Sequence, residues 1–221
     1  MDSLEQKTAL MFPKIFLLFN LCFLISCDFN NASLPYYNTP DFTPLFLNNK
    51  IAVKNKINHQ IANFSFTNQN GDLISNNDIE NKIHVANFIF TSCSNICPTM
   101  TSNMKNVEAA FFNDPGIQIL SFSVTPWIDN PKKLKNYMKQ YDIRTDNWNF
   151  LTGPKNEIYS LARESYFAEK NIGLSKDSPD FLHTEHFILV DKNKRIRGIY
   201  NGTLALEAKQ LIKDITTLKK Q

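Results

Sequence analysis

Two cysteines placed four residues apart are the residues of this sequence most able to do chemistry. Cys93 and Cys97 lie in the segment NFIFTSCSNICPTM, and Pro98 follows the second cysteine directly. Thiolates are nucleophiles in disulfide exchange and soft ligands for metals such as Cu(I). The pair could therefore be a structural disulfide, a redox couple or part of a metal site. The structural disulfide is the least favoured, because a bridge that closes so short a loop removes little entropy from the unfolded chain.

A histidine from elsewhere in the chain would complete a metal site, because two thiolates and one imidazole can hold both Cu(I) and Cu(II). The chain has four histidines. His84 falls in a predicted buried strand and His59 at the predicted domain edge, so we expect structural or solvent-facing roles for both. His183 and His186 lie in DFLHTEHFILVD. His183 is the better candidate, because it precedes the predicted strand and a loop side chain can reach across to the cysteines.

A buried strand and a helix are predicted on either side of the cysteines. Residues 83–90 are densely apolar, as in a strand that is covered on both faces. Pro98 fits the first position of a helix. Four apolar residues follow at helical spacing: Met100, Met104, Val107 and Phe111. We expect both methionines to pack in the core rather than bind metal. The cysteines would then occupy a strand-to-helix turn, where free amides and the helix dipole lower the pKa of a thiol.

Strands and helices alternate through the rest of the chain. A strand is predicted at 117–124, helices at 131–141 and 156–166, a strand, turn and strand at 186–200, and a closing helix at 205–219. This order predicts an α/β fold with a mostly parallel central sheet flanked by helices. The segment IANFSFTNQNGDLIS, residues 61–75, predicts an N-terminal hairpin that turns at NQNGD.

The N-terminus is typical of a secreted lipoprotein. Residues 15–25 form an apolar run after Lys14, too short for a spanning helix of about 20 residues. The run ends in LISC, which resembles a bacterial lipobox, so we predict a signal peptide at 1–26 and lipidation of Cys27. Met11 is an alternative start that would give a more usual leader. Residues 27–58, rich in Asn, Pro and Tyr, are predicted to be a flexible tether, and 59–221 the folded domain.

Composition and charge exclude some classes of protein. The chain has 221 residues, a hydrophobic content of 43% and six glycines, which describes a globular protein rather than a fibrous or disordered one. Its formal net charge is +3, and the basic residues are scattered along the chain. Nothing in this pattern indicates nucleic-acid binding.

Three motifs together resemble the SCO/SenC family of copper proteins. These are the C-x-x-x-C-P turn, the later His-Thr before a strand, and DKNKRIRGIYNG. The resemblance runs from about Phe64 to the C-terminal helix. It implies a thioredoxin-like fold and a role in maturing the binuclear copper centre of cytochrome c oxidase. Carried over by position, it implies that one copper ion is bound by Cys93, Cys97 and His183, whereas His186 would fall inside the strand.

The resemblance also implies a location and a partner. Family members are tethered to the outer face of an energy-transducing membrane, so Cys27 would anchor this domain on the periplasmic face of the inner membrane. Asp28, directly after Cys27, resembles an inner-membrane retention signal. The expected partner is the copper-site subunit of cytochrome c oxidase or another cuproprotein.

One family segment departs from the usual pattern. In SVTPWIDNP, Thr125 replaces an acidic residue that lies near the metal site in the family. Asp129 matches the second acidic position of this segment, and we expect it to act as a helix-start residue. Trp127 could shield the metal, dock a partner or pack in the core.

A second hypothesis, that the protein is an enzyme, remains open beside the hypothesis of a metallochaperone. Cys93 and Cys97 could be the attacking and resolving thiols of a thiol-disulfide oxidoreductase that keeps the cysteines of a copper-site partner reduced. This function needs no histidine, but the three residues between the cysteines depart from the C-x-x-C of thioredoxins. A peroxidase-like relative would need an arginine beside the thiol, for which Arg144 and Arg163 are the candidates.

Overall fold

The computed structural model describes residues 33–168 and 184–221, which form an α/β structure. The strands are β1 (Tyr36–Tyr37), β2 (Pro44–Leu45), β3 (Ser65–Asn68), β4 (Leu73–Ser75), β5 (Ile83–Ile89), β6 (Ile117–Ser123), β7 (Trp148–Thr152), β8 (His186–Val190) and β9 (Ile196–Asn201). The helices are α1 (Lys50–Lys56), α2 (Ile96–Ala110), α3 (Pro131–Gln140), α4 (Lys155–Ser160) and α5 (Ala205–Lys219). A 3₁₀ turn covers Asn76–Ile79 and a π-helical turn covers Leu161–Ser165. No helix in these two described ranges has the length and apolar character needed to cross a bilayer.

The strands form one mixed sheet in the order β2-β1-β9-β8-β5-β6-β7-β3-β4. Among the described strands, the parallel pairs are β5 with β6 and β6 with β7. β8 runs antiparallel to β5 and β9, and β3 runs antiparallel to β7. The predicted α/β class with flanking helices is confirmed, but the prediction of a mostly parallel sheet is wrong. The turn between β8 and β9 accounts for one of these antiparallel pairs, because parallel neighbours need a long crossover and a turn of a few residues joins antiparallel strands.

The two short antiparallel pairs lie at opposite edges of the sheet. β3 pairs with β4, with Ser65 opposite Ser75. Gly71 in their connecting turn has a φ of +91°, a conformation that favours glycine. β1 pairs with β2 at the other edge and precedes β3 in the chain.

Part of the predicted tether is folded. Tyr37 of β1 pairs with Ile196 of β9, and α1 buries Val53. The compact unit extends from Ser33 to Gln221, so it includes residues that the sequence assigns to the tether. Two-residue strands and a seven-residue helix are too short to produce a detectable hydrophobic period.

β5 leads directly to the cysteines and is buried along its whole length. Its side chains alternate between two apolar clusters, as the pleat of a strand requires. Ala86 and Phe88 belong to one cluster, and Ile83, Val85 and Ile89 to the cluster that includes α2 and α5. Three residues of α2 in this second cluster have no exposed surface: Met100, Met104 and Val107. The prediction that both methionines pack in the core is confirmed.

Candidate metal centre

The cysteines lie on the turn between β5 and α2, as the sequence predicts. α2 begins at Ile96, two residues before Pro98, so Cys97 lies inside the first helical turn. The Cys93 backbone N–H donates to the Phe90 carbonyl at 3.2 Å. The Cys97 backbone N–H donates to Cys93 Sγ at 3.5 Å. Both cysteines carry free thiols, Cys93 half-buried and Cys97 only 3% exposed.

The two thiols have opposite acidities. Partial burial alone would raise the pKa of Cys93, but hydrogen bonds from the Cys97 and Asn95 amides, the Cys97 thiol and the Ile96 amide outweigh it and hold the pKa below its ordinary value. Burial raises the pKa of Cys97 to about 12, which a hydrogen bond with the Phe90 backbone only partly opposes. Cys93 is therefore the accessible sulfur that ionises first. Cys97 is a buried thiol in hydrogen-bond contact with it.

A buried carboxylate holds the cysteine turn against the end of β6. Asp129 has no exposed surface. Its carboxylate accepts hydrogen bonds from the Thr91 N–H at 3.2 Å, the Thr91 hydroxyl at 2.6 Å and the Ser123 hydroxyl at 2.7 Å. The expectation that Asp129 is a helix-start residue is wrong, because the side chain of Asn130 caps α3 by accepting from the Lys133 N–H.

Thr125 belongs to the same hydrogen-bond network. Its hydroxyl donates to the Asp129 carboxylate at 3.0 Å, and its N–H donates to the Ser123 hydroxyl at 3.1 Å. The side chain is buried. At this position the chain therefore has a hydroxyl that donates to the Asp129 carboxylate.

The sequence gives a signal for this network that our reading of motifs missed. β6 reads IQILSFS, and its two serines interrupt a run of buried apolar residues. A buried hydroxyl needs a hydrogen-bond partner, so Ser123 at the strand end indicates that a polar group lies nearby. That partner, Asp129, comes from the loop that follows, and only its burial identifies it.

Trp127 is exposed beside this network. Its side chain is 58% exposed, so it neither packs in the core nor lies under the cysteine turn. Lys155 Nζ lies 5.0 Å from the centre of its ring and 5.1 Å from that of Tyr159. These contacts restrain the indole at the surface, since a cation over an aromatic face is attracted to it.

The predicted third ligand lies outside the described residues. His183, like Cys27, is not among them, and the description resumes at Thr184. His186 is the first residue of β8, as expected for an in-strand histidine, and its ring meets the edge of Phe42 with 5.9 Å between centres. Within residues 33–168 and 184–221, no group of three or more His, Cys, Asp or Glu side chains could hold a metal. The described residues thus bring two predicted ligands together, Cys93 and Cys97.

The other two histidines have structural roles, as predicted. His84 is fully buried, and its Nε2 lies 3.0 Å from the Tyr166 hydroxyl. Burial lowers its pKa to about 3. His59 Nε2 lies 2.7 Å from the Ser165 carbonyl, and its ring stacks on Phe167 with 4.1 Å between centres.

The two arginines considered for a peroxidase-like site have other contacts. Arg144 Nε donates to the Asp142 carboxylate at 2.7 Å in an exposed pair. The guanidinium of Arg163 lies 5.4 Å from the centre of the Tyr159 ring. Neither contact involves a cysteine.

Comparison with known proteins identifies one family. The model of the family described as SCO1/SenC matches residues 53–220. A SCO1 protein homolog from Bacillus subtilis is 33% identical over 172 residues, which cover 76% of this chain and 88% of the relative.

Solved structures agree with this match. A SCO1/SenC family lipoprotein from Bacillus anthracis superposes with a TM-score of 0.63 at 30% identity, over 74% of this chain and 96% of the other. BsSco, a member of the Sco family of cytochrome c oxidase assembly proteins in which a disulfide switch was identified, superposes with a TM-score of 0.62 at 32% identity, over 74% and 95% of the two chains. Yeast Sco1 with copper bound shares the fold at 20% identity, with a TM-score of 0.58 over 74% of this chain and 90% of the other.

Proposed function

Because the chain belongs to the SCO1/SenC family, we propose that it is a copper chaperone that holds one copper ion through Cys93, Cys97 and His183. It passes the ion by ligand exchange to a cuproprotein, namely the copper-site subunit of cytochrome c oxidase during assembly of the binuclear centre. Copper is cargo in this function, and no bond of an organic substrate is broken.

The observation that carries the proposal is the closeness of the two cysteines at the start of α2. The Cys97 backbone N–H donates to Cys93 Sγ at 3.5 Å, so both thiols lie on one turn where one soft metal ion can bind them. Binding copper takes the place of the thiol protons, which overcomes the high pKa of Cys97 because a metal ion deprotonates the thiols that ligate it. The half-buried Cys93 sulfur is more accessible than that of Cys97, so an incoming ligand of the recipient reaches it first.

The sheet register supports His183 as the third ligand. β8 runs antiparallel to β5, and Ala86 pairs with Ile188. Continuing this register places Thr184 level with Phe90, whose carbonyl accepts from the Cys93 N–H. His183 is the residue before Thr184 in the sequence, so the register places its described chain neighbour at the same end of the sheet as the cysteines. An imidazole beside two thiolates suits both oxidation states of copper.

The anchor belongs to the same proposal. Cys27 is lipidated and holds the domain on the periplasmic face of the inner membrane. The LISC sequence supports this placement, and so does the similarity to a Bacillus anthracis lipoprotein.

A copper titration tests the ligand set. Cu(II) added to the reduced protein should produce thiolate-to-copper charge-transfer absorption at one equivalent. His183→Ala should weaken Cu(II) binding and shift this absorption. His186→Ala is the matched control, because it removes an imidazole three residues away that lies in the strand. Equal spectra for the wild type and His183→Ala would refute the assignment of His183.

A second function is favoured by the unequal acidity of the thiols. Cys93, whose pKa is lowered and whose side chain is only half-buried, suits an attacking thiolate, and buried Cys97 suits a resolving thiol. Cys93 would attack a partner disulfide and expel one partner thiolate. Cys97 would then attack Cys93 in the mixed disulfide, which forms the Cys93–Cys97 bond and leaves the partner with two thiols. The disulfide switch identified in BsSco supports this alternative.

The two functions can be separated in cells. Cys97→Ser should trap a mixed disulfide through Cys93 if thiol exchange is the function. A His183→Ala chain that restores oxidase activity fully would favour the redox function. A chain that keeps thiol exchange but fails to load the oxidase with copper would favour copper delivery.

A further inference from the structure

A basic cleft lies at the end of the sheet opposite to the cysteine turn. It has a volume of about 540 Å³. Ile83, the first residue of β5, lines it, together with parts of α1 and the β8–β9 turn. β5 rises about 3.3 Å per residue, so its seven residues separate this cleft from the start of the cysteine turn by roughly 20 Å.

Three cations line the cleft without an acidic partner among the residues that the structure describes. Lys50, Lys192 and Arg195 line it, and none forms an ion pair with a described residue. The Nε atom of Arg195 is buried and has no hydrogen-bond partner among the described residues. A buried donor without a partner is costly, and more so when it is charged. An anion in the cleft would satisfy this donor.

Arg197, the fourth cation that lines the cleft, is paired with an acidic side chain. Arg197 pairs with Asp191 at 3.4 Å and donates to the Leu34 carbonyl at 2.7 Å. Asp191 is the one acidic side chain among the described residues that line the cleft. Glu80 lies in a neighbouring cleft that Lys192 also lines. Among the described side chains that line the cleft, the charges without an ion-pair partner are therefore positive.

Exposed apolar side chains lie beside the cleft. Phe46 is 67% exposed and Ile51 is 74% exposed. Both are chain neighbours of lining residues, which include Leu47 and Lys50. Lys54 and Lys56 are also exposed on α1. Aromatic and aliphatic side chains surrounded by lysines are typical of surfaces that lie in a bilayer interface.

The N-terminal chain leads to this face. Ser33, the first described residue, lines the cleft. Cys27 precedes it by six residues, and six residues span at most about 20 Å when fully extended. A lipid on Cys27 would therefore bring the cleft close to the bilayer surface.

We propose that this face, residues 46–56 with the cleft and the turn 191–195, docks on an anionic phospholipid surface, and that Arg195 binds a lipid phosphate. The length argument rests on the proposed anchor at Cys27, whereas the charge and the exposed apolar residues do not. A planar guanidinium suits phosphate oxygens, which it can bind through two hydrogen bonds. Docking in this way directs the cysteine turn away from the membrane, toward the aqueous domain of a recipient protein.

Hydrogen exchange in nanodiscs tests the docking. The full chain is reconstituted into discs of phosphatidylcholine alone and into discs that also contain phosphatidylglycerol. Amides of residues 46–56 and 191–195 should exchange more slowly in the anionic discs only. Lys50→Gln combined with Arg195→Gln should abolish this protection, because each basic residue near an anionic surface strengthens binding about fivefold. The matched control is Lys135→Gln with Lys139→Gln, two exposed lysines of α3, and it should keep the protection.

Three outcomes would overturn the proposal. These are equal exchange in both kinds of disc, protection that survives in the Lys50→Gln and Arg195→Gln chain, and equal protection in neutral discs from added inorganic phosphate. The last would identify a site for free phosphate. A chain that fails to stay with neutral discs would refute the Cys27 anchor, while the anionic discs would still report docking. Copper titration of the same samples reports the proposed function separately.

Discussion

Replacing Asp129 with alanine should destabilise the protein and loosen the cysteine turn. The carboxylate accepts from two hydroxyls that stay buried without it, those of Ser123 and Thr125, and from the N–H and hydroxyl of the half-buried Thr91. A buried donor left without its acceptor costs about 1–3 kcal/mol. Thr91 can turn toward water, so the loss comes mainly from the two buried hydroxyls. Part of this loss in stability is offset, because the variant no longer buries a charged group.

We therefore expect Asp129→Ala to lower the free energy of unfolding by about 3 kcal/mol. Asp129→Asn should lose less, since it keeps the shape and one acceptor oxygen. Urea unfolding of the reduced protein measures both losses as a shift in midpoint at constant slope. Asp142→Asn is the matched control, because asparagine tolerates the left-handed backbone of this position (φ +52°) and the exposed pair with Arg144 that it removes should contribute less than about 1 kcal/mol.

A second measurement tests the effect on the cysteine turn separately from the effect on the stability of the whole domain. Thr91 is two residues from Cys93, so losing its anchor should change the rate at which Cys93 is alkylated in native buffer. If Asp129→Ala unfolds at the same urea concentration as Asp142→Asn and Cys93 reacts at an unchanged rate, the carboxylate does not hold the turn, and this reasoning fails.

Three further outcomes are expected. At pH 7 iodoacetamide should modify Cys93 well before Cys97, because a pKa of about 12 leaves Cys97 almost wholly protonated. Mass spectrometry measures the two rates, and equal rates would contradict the difference in acidity between the two thiols. Burial gives His84 a pKa of about 3 in the folded protein, against about 6.5 in the unfolded chain. Between these pH values the unfolded chain binds one more proton than the folded protein. The free energy of unfolding should therefore fall as the pH drops from 6.5 toward 3, by at most about 1.4 kcal/mol per pH unit. His84→Phe should have a flatter profile of urea midpoint against pH, and an unchanged slope would show that His84 is not the cause. Arg197→Met should lower the free energy of unfolding by about 3–5 kcal/mol, because it leaves Asp191 buried without its partner. A double variant that also carries Asp191→Asn should recover part of this free energy in urea unfolding. No recovery would mean that the two side chains are not energetically coupled.

Local sequence patterns were sufficient to predict the cysteine turn. The apolar run of β5 predicts a buried strand, and the spacing of Met100, Met104 and Val107 predicts a core-facing helix, so the cysteines between them had to lie at a strand end and a helix start. The helix nevertheless begins two residues before Pro98. Proline is tolerated anywhere in the first turn, where the backbone N–H has no partner within the helix, so it marks the start only approximately.

The direction of the strands and the folded part of the tether could not be predicted in the same way. A buried strand has the same composition whether it runs parallel or antiparallel to its neighbour. The antiparallel pairing of β8 with β5 therefore leaves no mark in the sequence of either strand. β1 is stabilised by pairing with β9 and by the contacts of Arg197 with the backbone near Pro35. These partners lie more than 150 residues away in the chain, beyond the range of any local pattern.

The sequence by itself determined the two thiols and the strand and helix that carry them, because these features depend on residues close together in the chain. It also determined the family, because each of the three motifs that carry the resemblance is a short local segment. Only the tertiary structure decided how the two thiols differ, since exposure, amide contacts and burial set the pKa of Cys93 low and that of Cys97 high. It also decided the role of Asp129, which the sequence favours as a helix-start residue. That carboxylate is enclosed by groups from the cysteine turn, the end of β6 and its own loop, and a buried charge persists only where the fold brings enough donors to it.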